Sequence, residues 1–231
     1  MANLCIITAR GGSKRIPRKN IRNFLGKPII AYSIEAALNS GVFDEVMVST
    51  DDLEIADVAK QYGAVVPFLR SAMAASDYAT TRDVLIEVLS EYEKLGKHFE
   101  YFSCVYPTAP FVTAEKLKAA YTKLVNSDSD ELMPVVQFSY PPQRAFVIEN
   151  DSLVFQYPQY TNSRSQDLQP IYHDCGQFYF YRTDIYRGLK KGTGKRSPLF
   201  MPEEETQDID NFSDWEIAEI KYRKFILKEQ G

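Results

Sequence analysis

The sequence predicts an α/β fold in which a mostly parallel sheet is flanked by helices. Short apolar runs rich in β-branched residues alternate with amphipathic helical patterns along the first half of the chain. Strands that alternate with helices form parallel pairs, and parallel strands covered on both faces have continuous apolar sequences. The length of 231 residues and a hydrophobic fraction of 45% are sufficient for one domain with a sizeable core.

The elements of the first half follow in order. The predicted strands are Leu4–Thr8, Val46–Ser49, Ala64–Val66, Tyr101–Tyr106 and Leu132–Val136. Pro28 opens the first helix and Gly41 ends it, because proline fits the first helical position and glycine fits the left-handed residue after the last turn. Asp51 or Asp52 caps the second helix, and Thr113 caps the helix that follows the fourth strand.

The pattern changes after residue 137, so we predict one domain over residues 1–231 with an insertion at residues 138–172. Phe146–Ile148 and Leu153–Phe155 flank a turn, which indicates a β-hairpin. The remaining predictions are a strand at Gln177–Tyr181, a short helix at Ile185–Leu189, a mobile basic loop at Lys190–Ser197, and a last helix with a capping box of Ser213 and Glu216.

Composition excludes several classes of protein. The 27 Lys and Arg residues against 31 Asp and Glu residues give a net charge of −4, which argues against a dedicated nucleic-acid binder. The sequence has no apolar run of the ~18 residues that a membrane span needs, and no secretory leader pattern, so we expect a cytoplasmic protein without membrane contact. The three cysteines form no C-x-x-C motif and are expected to be reduced thiols.

A basic loop at residues 9–20 follows the first strand. It places five cations within ten residues: Arg10, Lys14, Arg15, Arg18 and Lys19. Its adjacent glycines allow a ligand to approach the backbone N–H groups, and a polyphosphate would relieve the repulsion among the cations. Loops after parallel strands lie at the ligand-binding edge of a sheet, where the loops at 70–80 and 107–112 also belong. The spacing fits neither common phosphate-loop motif, and a solvated basic turn remains the alternative.

A second candidate feature is the acidic triplet Asp208-Ile209-Asp210. In an extended chain both carboxylates face one side, and Ile209 faces the core. One or two carboxylates, completed by phosphates and waters, are ligands that Mg²⁺ prefers. An exposed acidic strand end is the alternative interpretation.

Residues 7–20 resemble the N-terminal motif of the CMP-sugar synthetases, cytidylyltransferases that activate eight- and nine-carbon 2-keto sugar acids. The pattern I-x-A-R-x-x-S-K-x-x-P-x-K-N matches at each position. Segments 48–52, 68–70, 107–110 and 208–210 follow in the order typical of that family. Segments 162–167 and 172–179 resemble the branch that acts on pseudaminic acid. The resemblance covers nearly the whole chain and implies a Rossmann-like nucleotidyltransferase fold with a small β-arm for dimerisation.

The resemblance also implies a reaction, the transfer of CMP from CTP to a nonulosonic acid with release of pyrophosphate. It implies catalytic roles for Arg10, Lys19, Asp208 and Asp210, with Mg²⁺ held by the two aspartates, and Asp214 also falls on an acidic position. The implied nucleotide contacts are Ala9, Arg10, Gly11, Gly12, Ser13, Lys14, Lys19, Asn20, Arg70, Ala79 and Thr81. Arg70 and residues 79–81 would read the cytosine edge, although Thr81 is also a candidate helix N-cap.

The predicted contacts with the sugar acid are Tyr106, Thr108, Gln143, Arg144, Arg164, Gln166, His173 and Gln177, with Asp174 in the same cluster. Arginine suits the carboxylate of such a substrate, and Gln and His suit its hydroxyl and acylamido groups. Tyr106 stands where many family members carry a glutamine, which argues against N-acetylneuraminate. The many aromatic residues of the insertion need a cover, so we predict a homodimer in which each arm helps to close the partner's site.

Several alternatives remain open at the level of sequence. Within the same class, the acceptor could be legionaminate, N-acetylneuraminate or 3-deoxy-manno-octulosonate. A metal-dependent glycosyltransferase would also combine an α/β sheet with a D-x-D triplet. A non-catalytic nucleotide-binding module is the third possibility.

Overall fold

A computed structural model describes residues 2–229 of the chain. The strands are β1 Asn3–Thr8, β2 Asn23–Phe24, β3 Lys27–Pro28, β4 Glu45–Ser49, β5 Tyr101–Val105, β6 Glu131–Gln137, β7 Phe146–Glu149, β8 Ser152–Phe155, β9 Tyr172–Asp174, β10 Phe178–Arg182 and β11 Arg196–Phe200. The helices are α1 Ile29–Asn39, α2 Leu53–Gln61, α3 Thr81–Lys94, α4 Ala114–Val125, α5 Thr183–Tyr186 and α6 Phe212–Lys221. Among residues 2–229, no helix has the length and apolar character that crossing a bilayer requires.

In the described part of the chain, seven strands form the central sheet. Their order is β11-β6-β10-β5-β1-β4, with β9 paired to β6. β1, β4, β5, β6 and β11 run in one direction, and β9 and β10 run in the other. The prediction of a mostly parallel sheet flanked by helices is therefore confirmed. At one edge Thr8 pairs with Ser49 and Ile7 with Val105, so the loops after β1, β4 and β5 start side by side.

Alternate residues of β1 serve different cores, as the pleat of a strand dictates. Cys5 and Ile7 pack in the core beneath α1, α2 and α4. Leu4 and Ile6 pack on the opposite face against Leu85 and other residues of α3. The sheet is therefore covered by helices on both faces.

The central strand β10 has the alternating sequence Phe-Tyr-Phe-Tyr. Phe178 and Phe180 are fully buried in the core that contains Cys5 and Ile7. Tyr179 and Tyr181 lie against the other core, where Tyr181 stacks on Phe102 with ring centroids 5.0 Å apart. One face of β10 is therefore entirely apolar, and the other carries phenol hydroxyl groups.

A third core lies beside the sheet and joins distant parts of the chain. It includes Ile16 from the basic loop, Phe24 after it, and Ile209 and Trp215 near the C-terminal end. Phe24 and Trp215 meet edge to face, with centroids 5.5 Å apart. This core positions the basic loop next to the acidic triplet.

Two predicted helix caps are confirmed. Asp52 accepts a hydrogen bond from the N–H of Ile55 at 3.0 Å, and Thr113 accepts one from the N–H of Lys116 at 3.3 Å. Pro28 lies one position before the first helical residue, as the extended N-cap of α1, so the helix starts one residue later than predicted.

The predicted capping box of the last helix is wrong. Asn211, not Ser213, is the N-cap of α6, and it accepts a hydrogen bond from the N–H of Asp214 at 3.0 Å. The N–H of Asn211 in turn donates a hydrogen bond to the Asp214 carboxylate, so Glu216 takes no part. Asn211 has an extended backbone and the helix begins directly after it, two residues before the predicted start.

Other predicted boundaries also shift. Residues 64–66 contribute a single bridge from Val65 to Met47 rather than a strand, because Pro67 follows at once. Residues 183–186 form the short helix instead of residues 185–189. The loop predicted at residues 190–197 ends in β11, where Arg196 forms an ion pair with Glu131 of the neighbouring strand.

The predicted hairpin is present between β6 and β9. Among the strands of residues 2–229, β7 and β8 pair only with each other, and Asn150 and Asp151 at their turn have φ angles of 48° and 62°. Such angles are typical of the tight turn that matches the twist of a hairpin. Ile148 and Leu153 on this hairpin are 76% and 70% exposed, so the arm leaves apolar side chains uncovered in a single chain.

Candidate active site

A cavity of about 510 Å³ lies at the carboxyl edge of the sheet. All three predicted site loops contribute to its walls. The residues of the sequence prediction that line it are Arg10, Ser13, Lys14, Lys19, Asn20, Arg70, Ala79, Thr81, Tyr106, Thr108 and Asp210. The fold therefore brings most of the predicted nucleotide contacts to one place.

Among the residues that the structure describes, four of the five cations of the basic loop are paired with acidic side chains, three of them at the cavity. Arg10 and Lys14 both contact Asp77, at 3.0 and 2.6 Å, and Arg15 contacts Asp210 at 2.7 Å. The loop therefore faces the cavity with cations whose repulsion is relieved by carboxylates in the same cavity.

Arg18 points elsewhere. Its guanidinium forms ion pairs with Asp52 and Glu54 at the start of α2. The hydrogen bond from Arg18 holds the pKa of Asp52 below its usual range. Arg18 therefore fastens the basic loop to the fold rather than lining the cavity.

Lys19 connects the basic loop to the acidic triplet. Its Nζ donates a hydrogen bond to the carbonyl oxygen of Ile209 at 2.8 Å. Burial lowers the pKa of Lys19, and the charges of Asp210 and Asp208 oppose that shift. A cation is thus held between the predicted phosphate loop and the predicted metal ligands.

The two glycines of the loop differ in their surroundings. The N–H of Gly11 donates to Asp51 Oδ1 at 2.9 Å, so a phosphate that used this N–H would have to replace the carboxylate. A Cβ at Gly11 would lie 2.8 Å from Asp52 Oδ2, whereas a Cβ at Gly12 would meet nothing within 4 Å. Steric contact, not a left-handed backbone, requires glycine at position 11.

The far wall of the cavity carries Arg70 and Thr81. Buried Arg70 donates from Nη2 to the carbonyl oxygen of Ser49 at 2.7 Å, and burial lowers its pKa. The alternative role of Thr81 as a helix cap is wrong, since Thr80 caps α3 in a capping box with Asp83. Thr81 therefore stands at the cavity wall without a capping role.

The acidic triplet divides two cavities. Ile209 is fully buried, as predicted, while Asp210 lines the first cavity and Asp208 lines a second one of about 480 Å³. Burial, and then the nearby charge of Asp210, raise the pKa of Asp208. His173 and Lys221 also line the second cavity.

The donor set of the triplet fits Mg²⁺. Within residues 2–229 no three His, Cys, Asp or Glu side chains form a metal-binding cluster. Mg²⁺ needs only one or two carboxylates when phosphates and waters complete its shell. Burial, and secondarily the charge of Asp210, raise the pKa of Asp208, and a divalent cation held by this carboxylate would favour its ionised form.

The predicted sugar contacts separate into two groups. Tyr106 and Thr108 line the first cavity, His173 lines the second, and buried Gln177 donates to the carbonyl oxygen of Glu205 nearby. The other four remain in the insertion: Gln143 donates to Gln169, Arg144 to Ser163, Arg164 pairs with Asp167, and Gln166 is exposed. A single chain therefore does not bring these four to either cavity.

Two features of the site were missed in the sequence. One is Asp77, which gave no signal beyond its place in a predicted site loop. The other is a pair of tyrosines at the sheet edge. Tyr179 donates to Asp174 Oδ2 at 2.7 Å, and its ring meets the Tyr106 ring edge to face with centroids 5.7 Å apart. Strict alternation in β10 could have indicated that Tyr179 faces away from Phe178.

Comparison with known protein families gives a match over most of the chain. The family model described as cytidylyltransferase matches residues 4–222. The pseudaminic acid cytidylyltransferase of Campylobacter jejuni is 44% identical over 225 residues, which cover 96% of this chain and 97% of that protein. The CMP-N,N′-diacetyllegionaminic acid synthase of Legionella pneumophila is 33% identical and covers 95% of both chains.

Solved structures show the same fold at low identity. CMP:2-keto-3-deoxy-manno-octonic acid synthetase complexed with CTP superposes with a TM-score of 0.69 at 17% identity, over 100% of both chains. The 4-diphosphocytidyl-2C-methyl-D-erythritol synthase of Anaerococcus prevotii gives a TM-score of 0.66 at 15% identity, over 99% of both chains. The expected nucleotidyltransferase fold is thus confirmed.

We predict that Gly11→Ala destabilises the protein by about 1–3 kcal/mol, because the added methyl group would displace Asp52 from its cap and its ion pair. Gly12→Ala is the matched control and should change stability by less than about 0.5 kcal/mol. Urea unfolding of both variants measures the difference. Equal stabilities would contradict the steric role of Gly11.

Proposed function

The chain belongs to the cytidylyltransferase family, and from this premise we propose that it transfers CMP from CTP to pseudaminic acid, with pyrophosphate as the second product. The observation that carries the proposal is the contact between Lys19 and Ile209, which joins the basic loop to the acidic triplet at one cavity. We expect the enzyme to work in the cytoplasm, where CTP is available.

In the proposed reaction, the anomeric hydroxyl oxygen of the sugar acid attacks the α-phosphorus of CTP. The new oxygen–phosphorus bond forms as the bond to the α–β bridging oxygen breaks, and the hydroxyl proton is released. Arg10, Lys14 and Lys19 offset the charge that develops on the phosphates, and Arg70 and Thr81 hold the cytosine edge. Catalysis by these residues is mainly positioning and electrostatic stabilisation.

Asp208 and Asp210 are the residues that would hold Mg²⁺. When bound, the ion would neutralise phosphate charge and lower the pKa of an oxygen that it contacts. Arg15 Nη2 lies 2.7 Å from Asp210 Oδ1, so this arginine would compete with a cation for that carboxylate oxygen.

The second cavity is the proposed seat of the sugar acid. It lies across Asp208 from the nucleotide cavity, and His173 and Lys221 offer nitrogen donors to a carboxylate and hydroxyls. Tyr106, which carries a phenol where many family members carry an amide, lines the nucleotide cavity. The similarity to the Campylobacter enzyme supports pseudaminate as the acceptor.

A homodimer is part of the proposal. The hairpin exposes Ile148 and Leu153, and the arm holds Arg144 and Arg164 away from both cavities of its own chain. A second copy would cover the apolar residues, and it would supply a site that the arm's polar side chains can reach.

The acceptor is tested by CTP-dependent pyrophosphate release with four candidates: pseudaminate, legionaminate, N-acetylneuraminate and 3-deoxy-manno-octulosonate. We expect the highest kcat/KM with pseudaminate and formation of its CMP ester. A higher value for another acid would reassign the acceptor. Absence of pyrophosphate release with all four, from folded protein that binds CTP, would contradict the proposed function.

For the metal site, we expect Asp210→Asn to lower kcat/KM by about 10²-fold or more, because a carboxylate that holds charge at the reacting phosphate is lost. Glu204→Gln, an exposed acidic residue a few positions earlier, is the control and should retain activity. Titration with Mg²⁺ checks the assignment, since the Asp210 variant should need far more of the ion. Turnover within a few-fold of the parent at ordinary Mg²⁺ would contradict it.

For the dimer, Leu153→Asp should give a folded monomer, because a charge placed on the apolar face of the arm opposes its burial. Leu189→Asp changes a residue of similar exposure outside the arm and should leave the dimer intact. Sedimentation velocity gives the mass, and circular dichroism confirms folding. A monomeric parent protein, or a dimeric Leu153 variant, would contradict the arm's role.

A further inference from the structure

Asp77 occupies the cations that a triphosphate would need. One carboxylate oxygen lies 3.0 Å from Arg10 Nη1, and the other lies 2.6 Å from Lys14 Nζ. All three residues line the first cavity. The hydrogen bond and charge of Lys14, followed by the charge of Arg10, hold the pKa of Asp77 below its usual range, so the carboxylate is ionised at neutral pH.

The segment that carries Asp77 is attached at its ends. Ser71 is hydrogen-bonded to Glu87, and Thr80 belongs to the capping box of α3. Between these points Ala74 is buried, whereas Met73 and Tyr78 are 84% and 96% exposed. The exposed Asp77 side chain is therefore positioned by its two ion pairs and not by apolar packing.

Both ion pairs are partly exposed to solvent, so another anion can replace Asp77 in them. The side chains of Arg10, Lys14 and Asp77 are 43%, 75% and 51% exposed, and exposed pairs contribute little stability. The Asp52 carboxylate that pairs with Arg18 differs, because it also caps α2. Within the described residues, Asp77 makes side-chain hydrogen bonds to the two cavity cations and to nothing else.

We infer that Asp77 acts as an internal counter-anion of the first cavity: it holds Arg10 and Lys14 until a polyphosphate displaces it, and it returns to compete with the product pyrophosphate. The inference deepens the proposed function and relies on it only for the triphosphate as ligand. A ligand whose phosphates do not reach Arg10 and Lys14 gains nothing from displacing Asp77. Because pyrophosphate competes with Asp77 for Arg10 and Lys14, Asp77 weakens the binding of this product after the bond to the α-phosphorus has broken.

The direct test measures the binding of inorganic pyrophosphate and of CTP by titration calorimetry, without sugar acid. We expect Asp77→Asn to bind both about three- to tenfold more tightly, the range that two exposed ion pairs allow. Asp77→Glu keeps the charge and should behave as the parent does. Asp57→Asn, on the exposed face of α2, controls for the change in net charge and should leave binding unchanged.

The salt dependence gives a second readout. The difference between Asp77→Asn and the parent should shrink as ionic strength rises, because exposed pairs are screened. Unchanged or weaker binding of pyrophosphate by Asp77→Asn would overturn the inference, and weaker binding of CTP would identify Asp77 as a ligand contact instead. Tighter pyrophosphate binding without turnover of any sugar acid would support the inference while contradicting the proposed function.

Discussion

Lys19 holds the two halves of the site together. Its ammonium group reaches the backbone of Ile209, 190 positions later in the chain, and lies in the field of both aspartates of the triplet. The apolar core beneath the site makes this contact possible, because Ile16 from the basic loop and Ile209 from the triplet pack in the same cluster. Burial of Ile16 and Ile209 therefore places the basic loop beside the triplet, and the charged side chains of both segments provide the electrostatic interactions of the site.

The parts of this arrangement that could be predicted from sequence are those set by local rules. The apolar run of β1, the caps at Asp52 and Thr113, and the turn of the hairpin each follow from short-range sequence patterns. The edge position of the basic loop follows from the parallel order of the strands. The prediction of a metal site at the acidic triplet required the family resemblance, because a D-x-D pattern alone is also typical of an exposed strand end.

What could not be predicted depends on partners distant in sequence. β11 was missed because its basic residues suggested a solvated loop, whereas Lys195 and Arg196 pair with Asp128 and Glu131 across the sheet edge. Two overlapping patterns, Asn211 with Asp214 and Ser213 with Glu216, both fit a helix cap here, and the local sequence does not distinguish them. The pairing of Asp77 with the basic loop joins segments some 63 residues apart, which no short-range pattern indicates.

The reversed strand β10 imposes a constraint of its own. It lies between β5 and β6 and presents phenylalanines to one core and tyrosines to the other. A slip of one residue would move two phenol hydroxyls into a dry core, at a cost of about 1–3 kcal/mol for each unsatisfied group. The strand thus admits a single alignment. Because Tyr179 of this strand donates to Asp174, the same alignment fixes where the Asp174 carboxylate lies at the sheet edge.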